Sequence, residues 1–383
     1  MNPSITKILE NDSILTFTLT GVDKCFANGL RRTILTDIPM VVIRTEDSAV
    51  NQCVVHENTS RLHNEIILQR ISCIPIHMND PTFAEKHILE INVKNNSDEQ
   101  VIRMVTTKDI RLKNTETQNY LSEEETKKIF PPNEITGHYI DIVRLRPKVG
   151  ITIPGEQLSL TAKFSVGTAK INSMFNAVSI CTYGFTTDIV KAKEVWEKKE
   201  KQLLSDEKEA DKSELDHLQK DFWNLDAQRY YIPNSFDFKV KSVGVYENKD
   251  IVHKACSHLC SKFDRIVSSL LENIIPIVES SSTRKYGYDS VIESTMQNSY
   301  DIILEGEDDT LGNILSYMMY QQYFIEEKEL SYCSFKKFHP HDSYGVLRIA
   351  YKNKVEKTQI INHLKTALME SKTIMEKVRS MMK

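Results

Sequence analysis

The chain has 383 residues, enough for about two or three domains that each bury a hydrophobic core. Hydrophobic residues make up 40% and charged residues 27%, which excludes a wholly disordered, collagen-like or coiled-coil chain. The net charge of −4 argues against a protein that holds nucleic acid mainly by neutralising phosphates, so a partner other than bare DNA is favoured.

The first elements are a strand, a helix and a second strand. Three apolar residues alternate with threonines, as in a half-buried strand: Leu15, Phe17 and Leu19. Three more recur at helical spacing: Phe26, Leu30 and Ile34. Because Pro39 follows, this spacing predicts an amphipathic helix over about 24–36. The run MVVIRTED predicts the next strand.

A long middle segment, 47–232, reads as an inserted domain. From Cys53 to Gly184 it consists mostly of short strands and turns, such as QLSLTAKFSV, which predicts a mainly-β fold. Residues 190–226 are rich in charge and predict one or two helices. Their apolar stripe is Leu215, Leu218, Phe222 and Leu225.

After the insertion the pattern returns to strand and helix. The run FDFKVKSVGVY alternates as a strand, and a helical stripe follows over about 250–271. Residues 273–290, with three serines and Gly287, predict a flexible linker. The run YGVLRIAY then predicts a strand, and a long amphipathic helix is expected over about 354–382.

The two ends of the chain resemble each other. Sliding the sequence by 285 positions aligns LTFTLTGVDKCFANGLRRTI with YDIILEGEDDTLGNILSYMM. The identities are Leu19/Leu304, Gly21/Gly306, Asp23/Asp308, Asn28/Asn313 and Leu30/Leu315. The helical stripe is kept in the second copy as Leu311, Leu315 and Met319. We therefore expect two similar units, each a strand–helix arrangement followed by a further strand and helix.

These observations predict an α+β protein of four parts. Residues 1–46 and 233–272 form a first strand–helix unit, which residues 47–232 interrupt as a mainly-β domain. The linker 273–290 leads to a second, similar unit over 291–383.

Candidates for chemistry are few. The acidic run Glu305 to Asp309 offers carboxylates for a hard metal, but it also lies where a helix begins, and Asp309 or Thr310 would cap that helix. Three possible metal ligands share one helical face: His253, Cys256 and Cys260. Buried packing explains these cysteines better. No phosphate-binding glycine loop or nucleophile elbow is present, so we expect no catalytic residue, cofactor or metal.

Asn28 and Asn313 occupy the same register, which predicts a hydrogen bond near each helix start. Arg31 and Arg32 follow Leu30, whereas the second copy has Ser316 and Tyr317 there. Such a difference indicates a surface contact that only the first copy makes.

The runs GVDKCFANGLRRTILTDIPMVVI, HENTSRLHNEIILQRISCIPI and PGEQLSLTAKFSVGTAKINSMFNAVSICTYG resemble the alpha-type assembly subunits of multisubunit RNA polymerases, especially the third-largest subunit. The runs DDTLGNILSYMM and FKKFHPHDSYGVLRIAY resemble the smaller, eleventh-type partner. One chain that holds both is similar to the fused assembly subunit of large cytoplasmic DNA viruses. Localisation in the host cytoplasm and virion, or otherwise in the nucleus or cytosol, would follow.

The resemblance implies a non-catalytic scaffold that docks the largest and second-largest polymerase subunits and small polymerase subunits. It also implies docking residues, all on the first copy and its insertion. They are Asn28, Arg31, Arg32, Asn58, Ser60, Leu62, Glu65, Gly167, Lys170 and Asn176. In this resemblance the two strand–helix units are dimerisation units related by a pseudo-twofold axis, and together they make an internal pseudo-heterodimer. One helix of each unit would form its interface. The residues are Phe26, Leu30 and Ile34 on the first helix and Leu311, Asn313, Leu315 and Met319 on the second.

Two other hypotheses stay open. The chain could be a free-standing dimerisation or adaptor module without a polymerase, or a metal-dependent hydrolase built on the acidic run. The relatives' cysteine-rich element is missing, since no cysteine lies between Cys73 and Cys181, and metal is therefore not implied.

Overall fold

The computed structural model describes residues 1–78, 80–97, 101–150, 152–206, 212–280 and 296–382. The chain forms two compact units. The paired-repeat unit contains Met1–Ile34, Ile180–Lys241 and Asn248–Lys383, and the inserted unit contains Leu35–Ser179 and Ser242–Glu247. The sequence predicts an insertion over 47–232, whereas the structure groups residues 180–232 with the paired-repeat unit.

The described residues contain strands that pair antiparallel in every ladder given below. They are β1 (Ser4–Asn11), β2 (Ile14–Thr20), β3 (Met40–Val42), β4 (Cys53–Asn58), β5 (His87–Lys94), β6 (Arg103–Thr106), β7 (Arg111–Asn114), β8 (Asp141–Leu145), β9 (Gln157–Lys163), β10 (Ser165–Gly167), β11 (Val178–Thr187), β12 (Tyr231–Ser242), β13 (Ile277–Glu279), β14 (Ser299–Glu305), β15 (Leu330–Lys336) and β16 (Tyr344–Tyr351).

The α-helices of the described residues are α1 (Lys24–Thr36), α2 (Asn64–Ser72), α3 (Pro81–Lys86), α4 (Glu123–Ile129), α5 (Ile189–Asp206), α6 (Lys212–Asn224), α7 (Asn248–Leu271), α8 (Asp309–Met319) and α9 (Lys357–Met381). A π-helical segment, Tyr320–Glu326, continues α8. Over the part of the chain that is described, no helix is both long and apolar enough to cross a bilayer.

The first copy is a four-stranded sheet in the order β1-β2-β12-β11, with α1 and α7 as its helices. In the central ladder Leu15 lies opposite Val240, Phe17 opposite Phe238 and Leu19 opposite Phe236. All six side chains are almost fully buried, because the period-2 alternation turns them to one face of the sheet. The threonine face carries Thr18, which donates to Asp237 at 2.6 Å.

The second copy repeats this arrangement. Its sheet has the order β13-β14-β16-β15, and α8 and α9 follow β14 and β16 as α1 and α7 follow β2 and β12. The offset of 285 that aligns the sequences also aligns the strands, since Ile14–Thr20 becomes Ser299–Glu305. The β13 strand lies inside the predicted linker, and residues 281–290 of that linker lie outside the described residues.

The inserted unit is mainly β, with a sheet in the order β4-β9-β5-β7 and the two-stranded pairs β3-β10 and β6-β8. Apolar residues of β5 and β9 alternate toward a core that α2 covers with Ile67 and Ile71, both fully buried. The predicted strand MVVIRTED is shorter in the structure, because only Met40–Val42 pair with a neighbour.

The charged segment forms α5 and α6. Its small core consists of Ala192, Trp196, Phe222 and Ala227, with the Trp196 and Phe222 ring centroids 5.3 Å apart. Leu225, which the sequence places in the apolar stripe, lies beyond the end of α6 and is 69% exposed.

Candidate functional site

Helices α1 and α8 meet where the two copies pack. All six predicted stripe residues are at most 1% exposed: Phe26, Leu30, Ile34, Leu311, Leu315 and Met319. Asn313, which we grouped with them, is exposed on α8 and lies outside this buried stripe. The two helices come close at Gly29, where an added Cβ would lie 2.7 Å from Ile314 Cδ1.

Helices α7 and α9 pack along each other and run antiparallel. Lys372 Nζ lies 2.8 Å from both carboxylate oxygens of Asp264, and Arg379 Nη1 donates to Ser257 Oγ at 3.4 Å. Cys260 Sγ donates to the Lys372 carbonyl at 3.9 Å, so this cysteine faces the partner helix. The second helix of each copy therefore covers that of the other.

The acidic run before α8 binds two arginines of the first copy. Glu307, with a side chain only 1% exposed, pairs with Arg265 of α7. Asp308 pairs with Arg32 of α1, with Oδ2 3.3 Å from Nη2. Asp308 also caps α8, since its Oδ1 accepts from the Thr310 amide at 2.9 Å, so the cap is neither Asp309 nor Thr310 as the sequence predicted.

Metal ligands are not assembled in the described part of the chain, where no group of three or more His, Cys, Asp and Glu side chains has a suitable arrangement. Cys256 and Cys260 are buried on α7. His253 is partly buried, and its carbonyl accepts from Ser257.

The two adjacent arginines of α1 differ in their contacts. Arg31 donates from Nε and Nη2 to Asn28 Oδ1, at 3.1 and 2.9 Å, which is the hydrogen bond expected for Asn28. Burial raises the pKa of Cys181 on β11 to about 12, and the nearby Arg31 charge opposes this rise. Burial also raises the pKa of Tyr183, again against the Arg31 charge. Arg31 is thus hydrogen-bonded within its own helix and close enough to β11 for its charge to act there, while Arg32 is directed to α8.

The loop after β4 is held by its own side chains. Asn58 Nδ2 donates to the Leu62 carbonyl and to Asn64 Oδ1, both at 2.8 Å. Asn58 Oδ1 accepts from Ser60 Oγ at 2.6 Å and from the Ser60 amide at 3.0 Å. Asn58, Ser60 and Leu62 therefore shape the loop, whereas Glu65 is exposed on the first turn of α2.

The run from Gly167 to Asn176 folds over an aromatic ring. Gly167 is buried against Phe175, and a Cβ at this position would lie 2.7 Å from the ring. Lys170 and Asn176 are exposed, and the Lys170 amide donates to the Thr36 carbonyl at 3.0 Å. In this run Lys170 and Asn176 reach solvent, whereas Gly167 is used for packing.

The two segments of the inserted unit that the sequence predicts as docking segments flank opposite ends of β9. Asn58 is paired with Leu158 at the start of that strand, and Gly167 follows its end at Lys163. A strand of seven residues is about 20 Å long, so the structure does not gather these segments into one cluster. Asn28, Arg31 and Arg32 belong to the other unit.

The pairing of Arg265 with Glu307 was missed by sequence reasoning. The acidic run was visible, but its partner is 42 residues earlier, on a helix whose apolar stripe drew attention instead. Glu307 is buried, whereas the other acidic residues of the run are exposed or partly exposed. No periodicity in the sequence distinguishes it from them.

Comparisons with known proteins match the first copy and the inserted unit to a protein family. The family described as the RNA polymerase Rpb3/Rpb11 dimerisation domain matches residues 16–263. DNA-directed RNA polymerase subunit Rpo3 of Pyrococcus furiosus is 26% identical over 281 residues, which cover 69% of this chain and 96% of the relative. The Thermococcus kodakarensis Rpo3 is 27% identical over 282 residues, with the same coverage of both chains. The human DNA-directed RNA polymerases I and III subunit RPAC1 is 25% identical over 202 residues, which cover 47% of this chain and 53% of that protein.

Proposed function

Because the chain belongs to the RNA polymerase Rpb3/Rpb11 dimerisation domain family, we propose that it is a fused assembly subunit of a DNA-directed RNA polymerase. In this proposal the first copy and its insertion act as the third-largest-type partner, and the second copy acts as the eleventh-type partner. The chain itself is non-catalytic, and its role is to assemble the subunits that hold the active site.

The observation that carries this proposal is the second copy. The family match ends at residue 263, yet residues 277–279 and 299–381 repeat the same order of two strands, a helix, two strands and a helix. The repeat packs on the first copy through α1 with α8 and α7 with α9, as two partners of a dimer would. Each copy alone would expose an apolar helix surface, which supports the reading of a dimer joined in one chain.

Docking of the largest and second-largest subunits is assigned to residues whose side chains reach solvent. On α1 this is Arg31, which is only partly buried and held by Asn28. On the inserted unit these are Glu65, Lys170 and Asn176. Guanidinium, ammonium and carboxylate groups are suited to charge-assisted contacts with partner proteins. Small polymerase subunits are further expected partners, and DNA is contacted only indirectly.

The fused arrangement favours a polymerase of a large cytoplasmic DNA virus, active in the host cytoplasm and carried in the virion. Affinity purification of the tagged full chain from cells that make its polymerase tests the function. We expect the two largest subunits to co-purify in stoichiometric amounts. Recovery of the chain without them would favour the alternative, an adaptor module that acts outside a polymerase.

A charge reversal then tests the docking surface. Arg31→Glu should weaken recovery of the second-largest subunit by roughly tenfold or more, because reversing a charge at a docking surface opposes association. Ser316→Glu is the matched control, since Ser316 holds the position of Arg31 in the second copy. Normal recovery with a folded Arg31→Glu chain would remove Arg31 from the docking surface.

A further inference from the structure

Residues at equivalent positions of the two copies face each other on the pseudo-twofold axis. Gly29 and Ile314 are related by the offset of 285, and they also face each other between α1 and α8, since a Cβ added at Gly29 would lie 2.7 Å from Ile314 Cδ1. Around them, Arg32 contacts Asp308 and Thr310. The counterpart of Arg32 in the second copy is Tyr317. Burial raises the pKa of Tyr317, and the charge of the Asp23 carboxylate adds to this rise.

In a symmetric dimer, a residue on the twofold axis contacts the same residue of the other protomer. Here the axis holds one glycine and one isoleucine, and the space beside Gly29 is filled by the Ile314 side chain. Two second copies that paired with each other would place two isoleucine side chains in the space that holds one. Close-packed interiors resist such overpacking.

The Arg265–Glu307 pair is also made on one side only. Arg265 is the eighteenth residue of α7, and the eighteenth residue of α9 is Ile374. The counterpart of Glu307 in the first copy is Val22. Both Ile374 and Val22 are buried, so the chain uses apolar residues where the symmetric ion pair would lie.

Self-pairing of the second copy would therefore bring Glu307 to Ile374 in place of Arg265. The Glu307 carboxylate is almost fully buried, and replacing the guanidinium that pairs with it by an apolar side chain removes an ionic contact from a buried charge, which is destabilising. We propose that two contacts, Gly29–Ile314 and Arg265–Glu307, determine which copies can pair, and we call them the pairing code. They allow a first copy to pack on α8 and α9, and they prevent another second copy from packing there. This inference concerns the pairing of the copies and holds whether or not the chain serves a polymerase.

Refolding with a choice of partners tests the code. Two full chains with different C-terminal tags, each with a protease site introduced within residues 281–290, are mixed, cleaved, unfolded in urea and refolded together. Capture through one tag should recover the N-terminal fragment and little of the second tag. Recovery of the second tag in amounts comparable with the N-terminal fragment would overturn the proposal.

A variant that removes both obstacles makes the test two-sided. Ile314→Gly with Glu307→Val, introduced in both tagged chains, should raise recovery of the second tag at least several-fold over the unchanged sequence. If recovery does not rise, these two residues are not what prevents self-pairing. Neither outcome depends on binding to a polymerase, so the proposed function and the pairing code can fail separately.

A double-mutant cycle on the uncleaved chain gives a measurement that does not depend on refolding partners. Arg265→Ile copies the residue found at the equivalent position of α9 and should lower the urea midpoint of unfolding clearly. Arg265→Ile with Glu307→Val installs the apolar pair that the chain carries as Ile374 and Val22, and should restore most of the midpoint. An unchanged midpoint in Arg265→Ile, or no restoration in the double variant, would overturn the role of this pair.

Discussion

Arg32 of the first copy lies against Asp308, the residue that caps helix α8 of the second copy, with Nη2 3.3 Å from Oδ2. The same guanidinium donates from Nε to Thr310 Oγ1 at 2.8 Å, so one side chain spans the first turn of α8. A cap residue satisfies backbone amides that the helix leaves open, and Arg32 holds that cap in place. The contact makes Arg32 a part of the joint between the copies, whereas the sequence predicted a docking residue at the surface.

We therefore predict that Arg32→Glu destabilises the chain. The change removes both contacts and places a carboxylate beside the capping Asp308. Because Arg32 is partly exposed, the expected loss is moderate, about 1–2 kcal/mol in the free energy of unfolding. Urea unfolding followed by circular dichroism measures it. Arg31→Glu is the control and should lower the free energy of unfolding less, because the Arg31 side chain is hydrogen-bonded to Asn28 of its own helix. Equal losses would contradict the different roles of the two arginines.

A second prediction concerns the buried glycine of the docking run. Gly167→Ala should lower the free energy of unfolding by about 1–3 kcal/mol, because the new methyl group would lie 2.7 Å from the Phe175 ring. Thermal unfolding of the full chain measures the loss.

Gly184→Ala is the matched control for this substitution. Gly184 also lies in a strand, and an added Cβ there meets no atom within 4 Å. We expect the control to be neutral or slightly stabilising, since alanine restricts the unfolded chain more than glycine does. A Gly167→Ala chain as stable as the control would show that the ring moves aside without cost.

A third prediction concerns the pH dependence of stability. Burial lowers the pKa of His363, against the opposing charges of Glu329 and Glu327. Tyr351 Oη lies 2.9 Å from His363 Nδ1, and the Tyr323 ring stacks on the imidazole with centroids 4.0 Å apart. The folded chain thus binds fewer protons than the unfolded chain just below the ordinary histidine pKa, so its stability should fall as the pH drops from about 7.5 to 5.5.

His363→Gln should reduce this fall, because the amide oxygen can still accept from Tyr351 and does not titrate. Urea midpoints at the two pH values measure the slope. His77, whose pKa burial also lowers, contributes in the same direction, so part of the slope should remain in the variant. The exposed His138→Gln chain serves as the control. A slope that is the same in His363→Gln and His138→Gln would contradict the prediction.

A fourth prediction is that the two copies stay together without a covalent link. Cleavage of the folded chain at a protease site within residues 281–290 should leave fragments that co-elute on gel filtration. The buried faces of α7 and α9, together with the pair of Lys372 and Asp264, hold them. Fragments that separate without denaturant would contradict a fused dimer and reduce the second copy to a tethered domain.

Local sequence determined much of the fold of each copy. The alternation of Leu15, Phe17 and Leu19 fixes which face of β2 is buried, and the helical spacing from Phe26 predicts α1 with the bounds found in the structure. The offset of 285 predicts β14 and the start of α8 from the first copy. These features follow from the periods of strands and helices, which neighbouring residues set among themselves.

Only the tertiary structure decided which residues meet across the two copies. Gly29 and Ile314, or Arg265 and Glu307, are far apart in sequence, and no period relates them. Their contacts depend on how α1 crosses α8 and how α7 lies along α9, which is set by the packing of whole helices. For the same reason the sequence presented Arg31 and Arg32 as one basic pair, although Arg31 is hydrogen-bonded to Asn28 within its own helix and Arg32 contacts Asp308, which caps α8 of the second copy.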